Sequence, residues 1–250
     1  MCRYSVNPSS LRRNWRFQCL WIGSALAYVG IETADIGYPL ALLALTGSPA
    51  LAGLFGTVQL LASLLAGLPA GTVADRHDRR RILIMAEAVR AGAGASVVLV
   101  ALVHALTWPH LIVVAAILGG SAPFGGTARI LLVRAVVPAD QLTAALTQEQ
   151  VRDSMSQLIG PPLGGVLYGL RQALPFLASA LGFTASLVAA LIVRVPVREP
   201  SDGRSNALSG LRAIWHDPTL RAATLLLAIL NAVGAPLVLI ILLFLLGIGH

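Results

Sequence analysis

Long apolar runs decide what this chain can become. Seven of them, near residues 18–45, 50–74, 82–104, 108–134, 145–170, 173–195 and 220–247, each exceed the ~20 residues a helix needs to cross hydrocarbon. Between them charge is scarce: 12% of the 250 residues are charged, where a soluble domain of this length carries roughly 25%. The mean hydropathy is +0.79. Membrane β-barrel strands would appear as alternating segments of about 10 residues, a pattern these runs lack. The runs therefore predict an all-α polytopic membrane protein.

The charge that exists is patterned. All 18 basic residues are arginine, a composition typical of GC-rich bacterial coding. Arg3, Arg12, Arg13 and Arg16 precede the first run; Arg76 and Arg79 to Arg81 lie between the second and third. Arg134 closes the fourth, and Arg194, Arg198, Arg204 and Arg212 lie between the sixth and seventh. The alternate connections, 46–50, 104–110 and 169–175, hold only Arg171. The positive-inside rule then sets the N-terminus and the 75–81 and 196–219 connections in the cytoplasm of a bacterial cell membrane. The net charge of +7 follows topology, not a basic face for nucleic acid, so no nucleic-acid partner is expected. The first run is too long for a cleavable leader and lacks a small-x-small cleavage site, so it is expected to remain as a span. Cys2 and Cys19 fall toward the cytoplasmic side, which argues against a structural disulfide. No metal-ligand spacing links them to the five histidines, and neither metal nor cofactor is expected.

Several polar residues interrupt the runs. Glu32 and Asp35, three apart within the first, share one helix face that is expected to look into a cavity or the bundle. Glu32 then serves a function, or is solvated or paired structurally. Gly67 and Gly71, around Pro69, form a GxxxG stripe of the kind that lets another helix approach closely. In the third run, Glu87 and Arg90 are read most simply as a pair shielding each other. The fourth, "LGGSAPFGGTAR", has the Gly and Pro content of a bent or broken helix, and Arg129 and Arg134 are expected to snorkel at its cytoplasmic end. Its "GGSA" falls short of an intramembrane serine-protease pattern. The fifth opens with Glu149, Arg152 and Asp153, then carries Gly160, Pro161, Pro162, Gly164 and Gly165, read as a bend at a helix–helix contact. Beyond the sixth, "PVREPSDGRSNALSG" reads as a linker. Leu208, Leu211, Ile214 and Trp215 after it recur at helical spacing, as on an amphipathic helix lying on the inner leaflet.

"GTVADRHDRRR" resembles the loop 2–3 signature of the major facilitator superfamily, with Gly71, Asp75, Arg76, Arg79 and Arg80 at the matching places and Asp78 where Gly is frequent. "SQLIGPPLGG" resembles the span-five motif of exporters, matched by Gly160, Pro161, Gly164 and Gly165, with Ser156 at the leading small position. "LTGSP" and "SGLRAIWHDPTLR" look like the macrolide, siderophore and multidrug exporter branch. Span four departs from many proton antiporters in lacking their mid-helix Arg motif.

The resemblance implies two six-helix halves around an alternating central cavity, each half made of two inverted three-helix repeats, with substrate bound near the midplane. Residues 1–195 would be the first half, 196–219 the cytoplasmic linker with its amphipathic helix, and 220–250 the first helix of an incomplete second half. Asp75 would close a cytoplasmic gate against a helix N-terminus of that second half, where partial positive charge favours a carboxylate. The Gly-Pro bend of span five would pack on it as well. Glu32, Asp35, Arg152 and Asp153 are the candidates for the proton-coupling cavity, with Glu32 leading. The expected function is proton-coupled efflux of an amphipathic small molecule, in a chain that reads as truncated or as a half needing a C-terminal half or a second copy. The alternative is a non-transporting remnant, or a regulatory or scaffold partner of a full transporter. An enzyme is not expected: there is no P-loop, no metal-carboxylate pair and no nucleophile–base set.

Overall fold

The computed structural model describes residues 11, 13–193, 215–223 and 225–226. Six long helices occupy the first of two compact units, residues 1–202; the second is 203–250. They are α1 (Trp15–Thr46), α2 (Pro49–Arg76), α3 (Arg79–Leu102), α4 (Trp108–Val136), α5 (Leu142–Leu170) and α6 (Leu174–Ile192), with a short 3-10 turn at Ala139–Gln141. A helix occupies each of the first six predicted spans, with ends shifted by a few residues. The linker and the seventh span lie almost wholly outside the described residues, as do Leu208, Leu211 and Ile214 of the amphipathic segment.

Local chemistry sets the helix ends. The Asn14 side chain accepts from the Phe17 amide at 3.3 Å to start α1, and Gly47, at φ 65°, closes it in the left-handed conformation that only glycine adopts cheaply. Ser48 then accepts from the Leu51 amide, and Pro49 sits at the first helical position, where its missing N–H costs nothing. Asp78 starts α3 by accepting from the Arg80 amide at 2.9 Å.

Five of these helices are long and apolar enough to cross a membrane. α5 has the length, 29 residues, but carries Glu149, Arg152, Asp153 and a run of Gly and Pro. Neither α4 nor α5 is broken: helix continues through Pro123 and through Pro161 and Pro162. Of the bent or broken helix expected in the fourth span, the break is absent, and the helix packs on both α2 and α3.

The packing has an internal exchange symmetry. α1 packs on α5 and α6, while α4 packs on α2 and α3; α3 and α6 pack on each other, and so do α1 and α4. Exchanging α1 with α4, α2 with α5 and α3 with α6 maps these contacts onto one another, while the α1–α2 contact has no comparable counterpart between α4 and α5. Two three-helix repeats related by a two-fold axis give that pattern.

Without water to expel, packing and polar contacts must hold such helices together, so small residues mark the closest seams. Gly23, Gly30 and Gly37, seven apart on α1, all face α6. A Cβ on Gly30 would lie 2.8 Å from the Ala178 carbonyl oxygen, and one on Gly23 would lie 2.7 Å from the Ala189 Cβ. Tyr38 stacks on Phe55 with ring centroids 4.6 Å apart and meets Phe176 in a tilted contact at 4.8 Å. These rings lock α1, α2 and α6 together.

Candidate functional site

The polar interior begins with Glu87 on α3, which is fully buried. Its Oε1 accepts from Arg129 Nη2 of α4 at 2.5 Å, whereas Arg90 Nη1, one turn along α3, is 4.0 Å away. The expected local pair is therefore present but long, and a shorter interhelical one joins it. Arg129 does not snorkel: it is 5% exposed and also donates to Ser186 Oγ of α6 at 2.9 Å. A carboxylate sealed from water needs a short, charge-assisted partner, and an arginine from another helix reaches it with better geometry than one on its own. Arg90 turns instead toward Ser121 Oγ of α4, at 3.2 Å, and the Phe183 ring. One carboxylate and two guanidinium groups thus tie α3, α4 and α6.

A second cluster sits at the start of α5. Arg152, 4% exposed, pairs with Glu149 at 2.8 Å and with Asp153 at 2.7 Å. Its guanidinium lies 4.5 Å from the centroid of the Tyr28 ring on α1, and that of Arg129 lies 5.5 Å from the same ring. Tyr28 thereby joins the two clusters through cation–π contacts. Local spacing on α1 gives no hint of this, because the two arginines come from α4 and α5.

Glu32 and Asp35 share the inward side of α1 but meet different neighbours. Glu32 is half-buried against α5, where a Cβ built on Gly160 would run into its own Cβ, and Asp153 is near enough to act on it electrostatically. Asp35 instead accepts from Gln59 Nε2 of α2 at 3.3 Å. It borders an internal cavity of about 60 Å³ together with Tyr38, Gln59, Arg90 and Ser179. The Tyr38 hydroxyl is buried there with no hydrogen-bond partner among the described residues. A polar cavity of that size has room for one or two waters.

The span-five motif is split between two environments. Ser156, Gly160 and Gly164 continue the buried stripe of Arg152 at four-residue intervals. A Cβ on Gly164 would lie 2.5 Å from the Thr33 carbonyl oxygen. Its small face therefore packs on α1 within this half, where the resemblance pointed to a second half. Gly165 has open space beside it, and Pro161 is half-buried.

The loop signature is likewise split. Arg80 caps the C-terminus of α6, donating through Nε to the Ala190 and Val193 carbonyls at 3.0 Å each and through Nη2 to Leu191 at 2.6 Å. A cation there satisfies carbonyls that have no helical partner and meets the negative end of the helix dipole. Arg79 is half-buried, whereas Asp75 and Arg76 are exposed. Gly67 and Gly71 are exposed too, and a Cβ added to either would touch nothing, so no described helix makes the expected close approach. No group of three or more His, Cys, Asp or Glu that could hold a metal occurs among the described residues.

A multi-span helical bundle with charge sealed in its interior and exchange-related three-helix repeats is the architecture of a polytopic membrane transporter. The chain belongs to the Major Facilitator Superfamily, whose sequence profile matches residues 20–250. It is similar to macrolide efflux protein A of Streptococcus pyogenes, 26% identical over 186 residues, covering 73% of this chain and 46% of that protein. Macrolide efflux protein A of Enterococcus faecalis is 30% identical over 127 residues, covering 50% of this chain and 39% of its own length. The multidrug efflux pump Tap of Mycobacterium tuberculosis is 25% identical over 229 residues, covering 85% of this chain and 54% of that pump. The chain thus spans about half the length of the curated relatives it matches.

Proposed function

We propose that the chain is part of a secondary-active exporter that expels an amphipathic drug, macrolide or siderophore in exchange for protons across a bacterial cell membrane. The observation that carries this reading is the seat of Glu32: a half-buried carboxylate directly against Gly160 of the exporter-type motif. Loading or unloading a proton there changes the charge at the α1/α5 contact itself, which is how a proton can bias two helix arrangements. Asp35, which lines the small internal cavity, and Arg152 and Asp153, which lie at the start of α5, are proposed as the further polar groups of the transport cavity. The names of the macrolide and multidrug relatives support export of this class of substrate.

Gly71, Asp75, Arg76 and Arg79 are proposed as the cytoplasmic gate, with Arg80 serving it indirectly by fixing α3 to α6. The open faces beside Gly67, Gly71 and Gly165 are suited to a second six-helix half or a second copy. The arginine distribution supports a cytoplasmic N-terminus.

The test is export of a macrolide from vesicles holding the chain, with and without an imposed proton gradient. Gradient-driven export in the wild type that disappears in Glu32→Gln, which keeps the shape of the side chain, is the expected result. Unchanged coupling in the variant refutes the role of Glu32. Export by the wild type that is indifferent to the gradient refutes the proton-exchange reading.

A further inference from the structure

The seam between α1 and α6 has an outer side that the transport reading leaves unused. Its floor is made of Gly23, Ala185 and Ala189, small enough to bring the two helices into backbone contact. Large side chains rise on both sides, so the seam opens outward as a groove of about 790 Å³. Ile22 is 53% exposed on one wall, and Leu181 is 61% exposed on the other.

Two features distinguish this groove from an ordinary gap between helices. Its length is that of one leaflet. From Trp15 to Leu26 on α1, and from Leu181 to Ile192 on α6, a rise of 1.5 Å per residue gives about 16 Å. Half of a hydrocarbon core of about 30 Å is close to that. Its charge is confined to one end. Arg13 lies on the rim beside Trp15, an aromatic residue of the kind that settles at headgroup depth. Arg16 follows one turn later, its guanidinium 5.9 Å from the centroid of a Trp15 ring. Neither arginine makes an ion pair among the described residues, and both are exposed.

We propose that this groove binds one anionic phospholipid from the leaflet on the chain's N-terminal side. Arg13 and Arg16 hold the headgroup, and an acyl chain lies along the floor between Leu26 and Leu181. Exposed cations at one end of a leaflet-length, mostly apolar trough complement a molecule with one charged end and a tail of that reach. Two exposed arginines with no ion pair among the described residues offer a zwitterionic headgroup much less.

The experiment is native mass spectrometry of the full chain, titrated with phosphatidylglycerol or with phosphatidylcholine bearing the same acyl chains. About fivefold or greater preference for phosphatidylglycerol is expected, the attraction of one basic residue to an anionic lipid surface. The Arg13→Gln/Arg16→Gln variant should bind the two lipids alike, with unchanged thermal stability. Val188→Trp, which fills the groove from an exposed wall position, should weaken retention of both lipids. Equal retention of the two lipids by the wild type overturns the proposal, as does undiminished preference in the arginine variant. A second copy of the chain held at the groove in place of lipid also overturns it. The arginine variant decides the matter even if the tryptophan variant does not fold.

Discussion

Removing the charge of Glu87 should damage the bundle more than any other single isosteric change in its interior. In Glu87→Gln the side chain keeps its shape, but Arg129 and Arg90 are left buried without their shared anion. Breaking a buried ion pair by removing one partner costs about 3–5 kcal/mol. In a chain of this size that corresponds to a fall in melting temperature of roughly 6–20 °C. The two arginines should respond unequally. Coulombic attraction scales inversely with separation, so from 2.5 and 4.0 Å the pull of Arg129 on Glu87 is about 1.6 times that of Arg90. Arg129→Met should therefore cost more than Arg90→Met, which also relieves the cluster of its surplus positive charge. The assay is thermal unfolding of the purified chain in detergent, arranged as a double-mutant cycle on Glu87→Gln and Arg129→Met. Because each single variant strands the other's charge, the double variant should be more stable than the sum of the singles predicts, by about 1–3 kcal/mol. Additivity within about 0.5 kcal/mol would refute the interhelical pair, and a larger loss from Arg90→Met would refute the ranking.

Two further outcomes follow from the packing. Gly164→Ala should destabilise the bundle by about 1–3 kcal/mol, because its Cβ meets the backbone of Thr33, while Gly165→Ala next to it should be neutral or stabilising; unfolding temperatures compare them. Arg80→Gln should lower stability by about 1–2 kcal/mol through loss of the α6 cap, whereas Arg81→Gln, in an exposed pair with Asp78, should leave the unfolding temperature unchanged.

Helix existence was legible because apolar length is a property of the chain alone, and membrane helices satisfy their own backbones. The ends drifted by a few residues because side-chain caps such as Asn14 and Asp78 decide them. Partnership between helices was much less legible. Spacing within one helix pairs Glu87 with Arg90, three residues away; Arg129 is 42 residues away and invisible to that reasoning. The same limit hid Tyr28, whose two arginine neighbours belong to other helices. The seven-residue recurrence of Gly23, Gly30 and Gly37 was readable in principle, as a stripe for close helix contact, but glycine is common enough in membrane helices to mask it. Motif matching located Arg80 and Gly160 without revealing that both have contacts within this half.

The turn at 77–78 joins two helices held very differently. On its far side α3 is fastened: Asp78 caps it, Arg80 grips the end of α6, and the Glu87 cluster lies two turns further in. On its near side α2 buries only Phe55, Ala70 and Ala74 among 28 residues. The turn is thus anchored through α3 and α6, while α2 is held to the bundle further along, by Phe55 stacked on Tyr38 and by its seam with α4, so crosslinks between α2 and α4 should stiffen the part of α2 that the turn leaves unfastened.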